Sequence, residues 1–140
     1  MAKSQGRIKA DSKSGSHRLR DEEVPDSDTM VPIFSLERVQ NGDFCFSKLD
    51  RDGKAAFAES VFRRRNLTWN DIQRAGRHKL GCEKIAVSSI KAPVPNFITE
   101  DQHSLLAFRF NEMCPMVGYR IRNIFYVLWF DHNFKLYNHS

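Results

Sequence analysis

The chain has 140 residues, of which 41% are hydrophobic, and it carries 22 Lys and Arg against 17 Asp and Glu. This length suits one domain better than two, and no apolar run approaches the roughly 18 residues that a transmembrane helix requires. An apolar signal-peptide segment is also missing near the start of the sequence, so we expect a cytoplasmic protein. The positive balance favours a polyanionic partner, although a merely solvated basic surface has the same composition.

Several chemistries lack their usual sequence motifs. The three cysteines are odd in number and widely spaced, which predicts free thiols and neither a disulfide framework nor a structural zinc site. The phosphate-binding loop, the dinucleotide-binding glycine motif, the nucleophile elbow and the HExxH metal motif are all missing. The carboxylates Glu100, Asp101 and Asp131 are too scattered for a metal-dependent nuclease. We therefore expect neither a metal nor a cofactor.

Residues 1–30 differ in composition from the rest of the chain. Basic side chains and then an acidic patch dominate this segment, with few apolar residues among them. Such a segment cannot bury enough apolar area to offset the entropy lost on ordering. We expect a disordered arm over residues 1–30, or one that a partner orders, followed by a single α+β domain over residues 31–140.

The first part of that domain predicts one strand and two helices. Alternating apolar and polar residues over 32–39 favour a strand. Apolar residues at helical spacing indicate the first helix over about residues 51–65. A capping-box pattern that begins at Thr68 opens the second helix, which we expect to end near Leu80 with Gly81 as its C-terminal cap.

The last third of the chain predicts an antiparallel sheet of three or four strands. Residues 105–111 and 116–122 alternate in polarity, whereas residues 124–130 are apolar on both faces, as in a central strand. A turn over residues 131–133 is expected to return the chain into a final strand over residues 134–137. The short connections favour antiparallel neighbours.

Two arginines of the predicted sheet are the first candidates for chemistry. Arg109 follows Ala107, and Arg120 follows Gly118, so each guanidinium is expected above a shallow floor on an open sheet face. Guanidinium groups in such a position can bind a phosphate through two hydrogen bonds. The same pattern is also typical of arginines on the solvated face of an ordinary sheet.

The C-terminal segment holds a second candidate cluster of Asp131, His132, Tyr137 and His139. Histidine changes its charge near neutral pH and is the usual acid–base catalyst. Histidines in turns and near chain ends are also often simply solvated. We assign the other aromatic residues of the last strands to the core and expect only Tyr137 to be free for a functional task.

A basic run follows the second predicted helix. From Arg63 to Lys84, seven Lys or Arg residues stand against two acidic residues. Such a local excess of cations can bind an RNA backbone by releasing counterions, although a charged outer helix face has the same pattern. The residues assigned to RNA binding are Arg74, Arg77, His78, Lys79, Lys84 and Arg122.

The order of a strand, two helices and an antiparallel sheet resembles the RelE-like toxin superfamily, which includes the RelE, YoeB and HigB groups. The resemblance extends to apolar–Arg–apolar around Arg109, Gly–aromatic–Arg over residues 118–120, and the aromatic and apolar run over 125–130. The stretch over residues 118–139 is also similar to small uncharacterised bacterial proteins.

The resemblance implies a toxin that cleaves mRNA without a metal, free or on the ribosome, and that a cognate antitoxin neutralises. In such enzymes a 2′-hydroxyl attacks the adjacent phosphate. Arginines would neutralise the developing charge, a histidine would act as general base or acid, and the tyrosine would orient a base or donate a proton. The implied catalytic residues are Arg109, Arg120, His132, Tyr137 and His139.

Two features depart from the compact toxins, namely the N-terminal arm and the long loop over residues 86–97. Either departure is compatible with a changed substrate, or with binding that has lost catalysis. Two alternatives therefore stay open on the same fold. One is a non-catalytic module that binds nucleic acid or protein, and the other is a toxin directed at DNA gyrase.

Overall fold

The computed structural model describes residues 26–77 and 79–139. Most of the expected arm and His78 therefore lie outside the described residues. Among the residues that are described, no helix is long and apolar enough to span a bilayer. In chain order the elements are β1 (Ile33–Ser35), α1 (Arg51–Arg63), α2 (Trp69–Arg74), β2 (Cys82–Ile85), β3 (Leu105–Asn111), β4 (Cys114–Ile121) and β5 (Ile124–Phe130).

The five strands form one mixed sheet in the order β1–β5–β4–β3–β2. The three pairs β2–β3, β3–β4 and β4–β5 are antiparallel. The fourth pair, β1–β5, is parallel, with Ile33 opposite Ile124. The α+β class is confirmed, but the prediction of a purely antiparallel sheet of three or four strands is wrong. A parallel pair needs a long connection, and the chain from β1 to β5 supplies one through both helices.

The second helix begins as the sequence predicted and ends earlier. Thr68 Oγ1 accepts the Asp71 N–H at 3.1 Å, and the Asp71 carboxylate accepts the Thr68 N–H at 2.9 Å. The helix stops at Arg74, because the extended residue Ala75 forms its C-terminal cap. Gly81 is not that cap, and a Cβ there would lie 2.3 Å from the Ala75 carbonyl oxygen. Gly81 therefore permits a close backbone approach.

Two further strand predictions are wrong. The first strand covers only Ile33–Ser35, and the expected strand over residues 134–137 is replaced by turns. Conversely, β2 was not predicted, and it pairs with β3 from Cys82 opposite Phe108 to Ile85 opposite Leu105. Four residues carry too little alternation to predict a strand, so β2 depends on its pairing with β3.

Both faces of the sheet are covered. The face that packs against α1 and α2, here called the helix face, buries an aromatic core that includes Trp69, Phe108 and Phe130. The opposite face, here called the loop face, buries Trp129 and Tyr119 beneath residues 86–104 and the segment after β5. The assignment of Trp129 to the core is confirmed, and the expected solvated sheet face is wrong.

A buried arginine joins α1 to the sheet. Arg64 is 1% exposed, and its guanidinium donates to the carbonyl oxygens of Ser60 at 3.0 Å, Leu80 at 2.8 Å and Arg109 at 3.4 Å. The same guanidinium lies 4.9 Å from the ring centre of Phe108. Burial lowers the pKa of Arg64 to about 10, which leaves it charged at neutral pH. The hydrogen bonds to these carbonyl oxygens replace those to water that the guanidinium loses on burial.

A bulge in β5 sets which side chains reach the loop face. Val117 lies opposite Trp129 while Gly118 lies opposite Val127, so β5 carries one extra residue. As a result, Leu128 and Trp129 both join the core of the loop face. A Cβ on Gly118 would lie 1.9 Å from the Tyr126 carbonyl oxygen, so only glycine fits at this position.

We predict that Gly118→Ala lowers the free energy of unfolding by about 2 kcal/mol or more, because the added methyl group must displace a neighbouring strand. The measurement is urea denaturation followed by circular dichroism. Gly76→Ala is the matched control, since a Cβ at Gly76 meets no atom within 4 Å, and we expect a change below about 0.5 kcal/mol. Equal midpoints for both variants would contradict the close strand contact.

A candidate acid–base site at the C-terminal segment

The centre of the candidate site is Asp131, which directly follows β5 and is fully buried. Its Oδ1 accepts the backbone N–H of Lys135 at 2.9 Å and of Leu136 at 3.2 Å. Its Oδ2 lies 2.7 Å from Nε2 of His139. Because a carboxylate only accepts hydrogen bonds, the Nε2–H of His139 is the donor. The carboxylate thus holds both the turn and the histidine.

His139 is fixed on several sides. Its ring centre lies 4.0 Å from that of Tyr137 and 5.2 Å from that of Phe134. The side chain remains 23% exposed. Within the described residues, its second ring nitrogen, Nδ1, has no hydrogen-bond partner. A histidine that a carboxylate orients at one nitrogen can exchange a proton at the other.

Tyr137 is 6% exposed, so the expectation that it is free is wrong. Burial is the main cause that raises the pKa of its hydroxyl to about 12, with a further rise from the carboxylates of Glu83 and Asp131. The positive charges of Arg109 and Arg77 act in the opposite direction. The phenol therefore keeps its proton at neutral pH, which makes it a hydrogen-bond donor and not a base.

The charges of two predicted arginines act on Tyr137. Arg109 and Arg77 both lower the pKa of its hydroxyl group, and Arg77 also pairs with Glu83 at 3.0 Å. The structure brings two of the five predicted catalytic residues, His139 and Tyr137, into ring contact.

Arg120 lies elsewhere, so the prediction of a shared arginine pair is wrong. Its guanidinium stacks 4.2 Å above the ring centre of Trp69 on the helix face and pairs with Asp28 at 2.5 Å. Arg109 pairs in register with Pro115, five residues before Arg120 on β4. Side chains an odd number of residues apart on a strand point to opposite faces, which separates the two arginines.

His132 does not join His139. Its Nε2 lies 2.9 Å from the carbonyl oxygen of Asp43, and its ring centre lies 6.4 Å from that of Phe44. These contacts tie the turn after β5 to the loop that precedes α1. The structure therefore gives His132 a bridging position outside the group around Asp131.

The remaining basic residues are dispersed. Arg74 pairs with Asp71 at 3.0 Å on α2, Lys84 is exposed on β2, and Arg122 is exposed in the β4–β5 turn at a φ of 57°. Lys79 lines a cleft of about 370 Å³ between α1 and the end of β3. The other charged residues that line this cleft are Arg63, Arg64, Arg109, Glu59 and Glu112.

No protein-family model, curated protein or solved structure matches this chain. The three cysteines are free thiols, and the described residues contain no group of three His, Cys, Asp or Glu side chains that could hold a metal ion. The resemblance to RelE-like toxins therefore rests on the residue pattern and the order of elements, and it stays a prediction.

Two residues of the site were given no catalytic or binding role from the sequence. Glu83 lies on β2, a strand that the sequence did not predict, and its position beside Tyr137 follows from its pairing opposite Ala107. Asp131 was named only as one member of the terminal cluster. The available signal was its position directly after a strand that is apolar on both faces, where a carboxylate is buried and requires donors.

We predict that Asp131→Ala lowers the free energy of unfolding by about 3 kcal/mol, since two buried amide groups and a histidine lose their acceptor. The measurement is urea denaturation, with near-ultraviolet dichroism to report on Tyr137. Asp131→Asn keeps an amide oxygen for the two backbone donors, so a smaller loss is expected. Asp43→Ala, at an exposed position, serves as the control. An Asp131→Ala variant as stable as the parent would show that the turn holds without the carboxylate.

Proposed function

We propose that this chain is a metal-independent endoribonuclease of the RelE-like kind, with mRNA as its substrate. The observation that carries the proposal is the Asp131–His139 pair, whose imidazole lies against the ring of Tyr137. The positive charges of Arg109 and Arg77 act on the hydroxyl group of that tyrosine. This group combines a proton acceptor with cations, and both are needed for attack by a 2′-hydroxyl on a phosphate.

His139 acts as the general base. It takes the proton of the 2′-hydroxyl at Nδ1, while the O2′–P bond forms and the P–O5′ bond breaks. The leaving 5′-oxygen takes a proton from water, and the hydroxide so formed takes the proton back from His139. The products are a 2′,3′-cyclic phosphate and a 5′-hydroxyl end. Asp131 holds the imidazole in one orientation and stabilises its charged form.

Arg109 and Arg77 supply the positive charge. As the phosphate gains negative charge in the transition state, a fixed guanidinium stabilises it more than it stabilises the ground state. The Arg109 backbone is held by the guanidinium of Arg64, which limits the movement of this residue. Arg109 also borders the cleft that Lys79 and Arg63 line, so the RNA backbone has a basic path beside the site.

We predict that His139→Ala lowers the cleavage rate about 10²- to 10⁴-fold, the contribution typical of a general acid or base. The assay is fragmentation of end-labelled single-stranded RNA in a metal chelator, with mapping of the cyclic phosphate ends. His132→Ala is the matched control, because His132 contacts Asp43 and not the site, and we expect its rate to be unchanged. Equal loss in both variants, or intact RNA with the parent protein, would contradict the assignment.

We further predict that induced expression arrests growth and fragments mRNA, and that Arg109→Ala relieves both effects. Arg122→Ala, at an exposed turn outside the site, is the control and should remain toxic. Growth and RNA integrity are measured in the same cultures. Normal growth with intact RNA would favour the non-catalytic binding module, and DNA damage without RNA loss would favour a gyrase-directed toxin.

A further inference from the structure

A second cluster on the loop face surrounds Arg38, in the segment that follows β1. Its guanidinium donates a hydrogen bond to the Tyr119 hydroxyl and lies 4.4 Å from the ring centre of Tyr126 and 5.6 Å from that of Phe97. Tyr119 and Tyr126 face each other across β4 and β5, with ring centres 5.3 Å apart and planes 21° apart. Arg38 therefore covers a stack of aromatic rings.

The outermost ring of this cluster is exposed. Phe97 is 45% exposed and lies 5.9 Å from the ring centre of Tyr119. It sits in a tight turn, because the Ile98 N–H donates to the Pro95 carbonyl oxygen at 3.0 Å and Ile98 is buried in the core. The fold thus presents a phenylalanine ring to solvent next to the plane of a guanidinium.

An unsatisfied polar atom lies beside the same rings. The ring of His103 packs edge-on against Tyr119 with centres 4.9 Å apart. Its Nδ1 is buried, with no hydrogen-bond partner among the described residues. His103 also lines a cleft of about 260 Å³ with Lys84 and Ser104. A buried polar atom without a partner is costly.

We propose that Phe97 and Arg38, which rest on the adjoining tyrosines, bind an unpaired nucleobase of the RNA, which makes this cluster a subsite for the substrate of the proposed nuclease and rests on that function. A base is flat and carries polar edges. Unpaired bases stack on aromatic rings and on guanidinium planes, and hydrogen-bond at their edges. The Arg38 cluster offers an exposed ring and a guanidinium side by side.

The position of the cluster suits a strand that also reaches Arg109. Tyr119 lies four residues along β4 from Pro115, the register partner of Arg109. This separation is about 13 Å at ~3.3 Å per residue. Tyr119 and Tyr137 belong to the same core, that of the loop face. A few nucleotides of single-stranded RNA span this distance, so one substrate can contact both the cluster and Arg109.

The test uses the full chain with His139→Ala, so that the RNA remains intact. The probe is a short single-stranded RNA with one 2-aminopurine, whose fluorescence is quenched when the base stacks, and affinity is read by anisotropy. Phe97→Ala is expected to weaken binding about 10-fold or more, as for loss of one base–aromatic stack, and to abolish the quench. Phe97→Trp should restore both.

Phe62→Ala is the matched control. Phe62 is 56% exposed and its ring lies 3.9 Å from the guanidinium carbon of Arg65, so it repeats the Phe–Arg pair without the tyrosines and His103. We expect its binding and quench to equal those of the parent. Equal losses for Phe62→Ala and Phe97→Ala, or no loss for Phe97→Ala, would overturn the proposal.

Binding to a duplex of the same RNA distinguishes base stacking from attraction to the phosphate backbone, because a duplex keeps its phosphates exposed but not its bases. Its bases are already paired, so Phe97→Ala should leave duplex binding unchanged, and an equal loss on the duplex would reject the base-binding subsite. Cleavage by the parent protein is measured separately. A quench that depends on Phe97, without any cleavage, would retain this subsite and reject the nuclease. Cleavage by the parent protein, with binding and quench unchanged in Phe97→Ala, would retain the nuclease and reject this subsite.

Discussion

The buried carboxylate of Asp131 is the interaction on which the loop face depends. Removing a carboxylate from water is very costly unless donors replace the lost hydrogen bonds. The amides of Lys135 and Leu136 and the ring of His139 are those donors. They can reach one carboxylate only if the chain turns back on itself after β5. The same requirement that closes the turn therefore also buries Tyr137 and positions the candidate base.

A second buried charge, that of Arg64, lies on the helix face of the sheet. Arg64 is held by backbone carbonyl oxygens, one of which belongs to Arg109. Arg109 thus has its backbone held from the helix face. Its side chain points to the loop face, because Phe108 and Phe110 on either side of it belong to the helix-face core. Core packing on the helix face therefore limits the movement of a residue that the proposed function uses.

Short sequence patterns predicted those helices and strands whose formation depends on residues close together in the chain. The capping box of Thr68, the apolar face of α1 and the alternation of β3 and β4 all act within a few residues. The partner of β1, the existence of β2 and the course of the tail depend on contacts distant in sequence. The faces of Arg109 and Arg120 depend on strand register, which composition does not encode. The contacts of His139 with Asp131 and Tyr137 depend on the turn after β5.

The two faces of the sheet differ in the polar groups they carry. The helix face is filled by phenylalanine and tryptophan rings in edge-to-face contacts, which suit a rigid core. The loop face buries Asp131 and Tyr137 and carries His103 and Arg38 at its rim, beneath segments that contain no α-helix. Among the described residues, the contacts of His139 are with Asp131, Phe134 and Tyr137, so it can be replaced with little effect on the helix face. Under the proposed function, its imidazole is the group that a binding module of the same fold would not need.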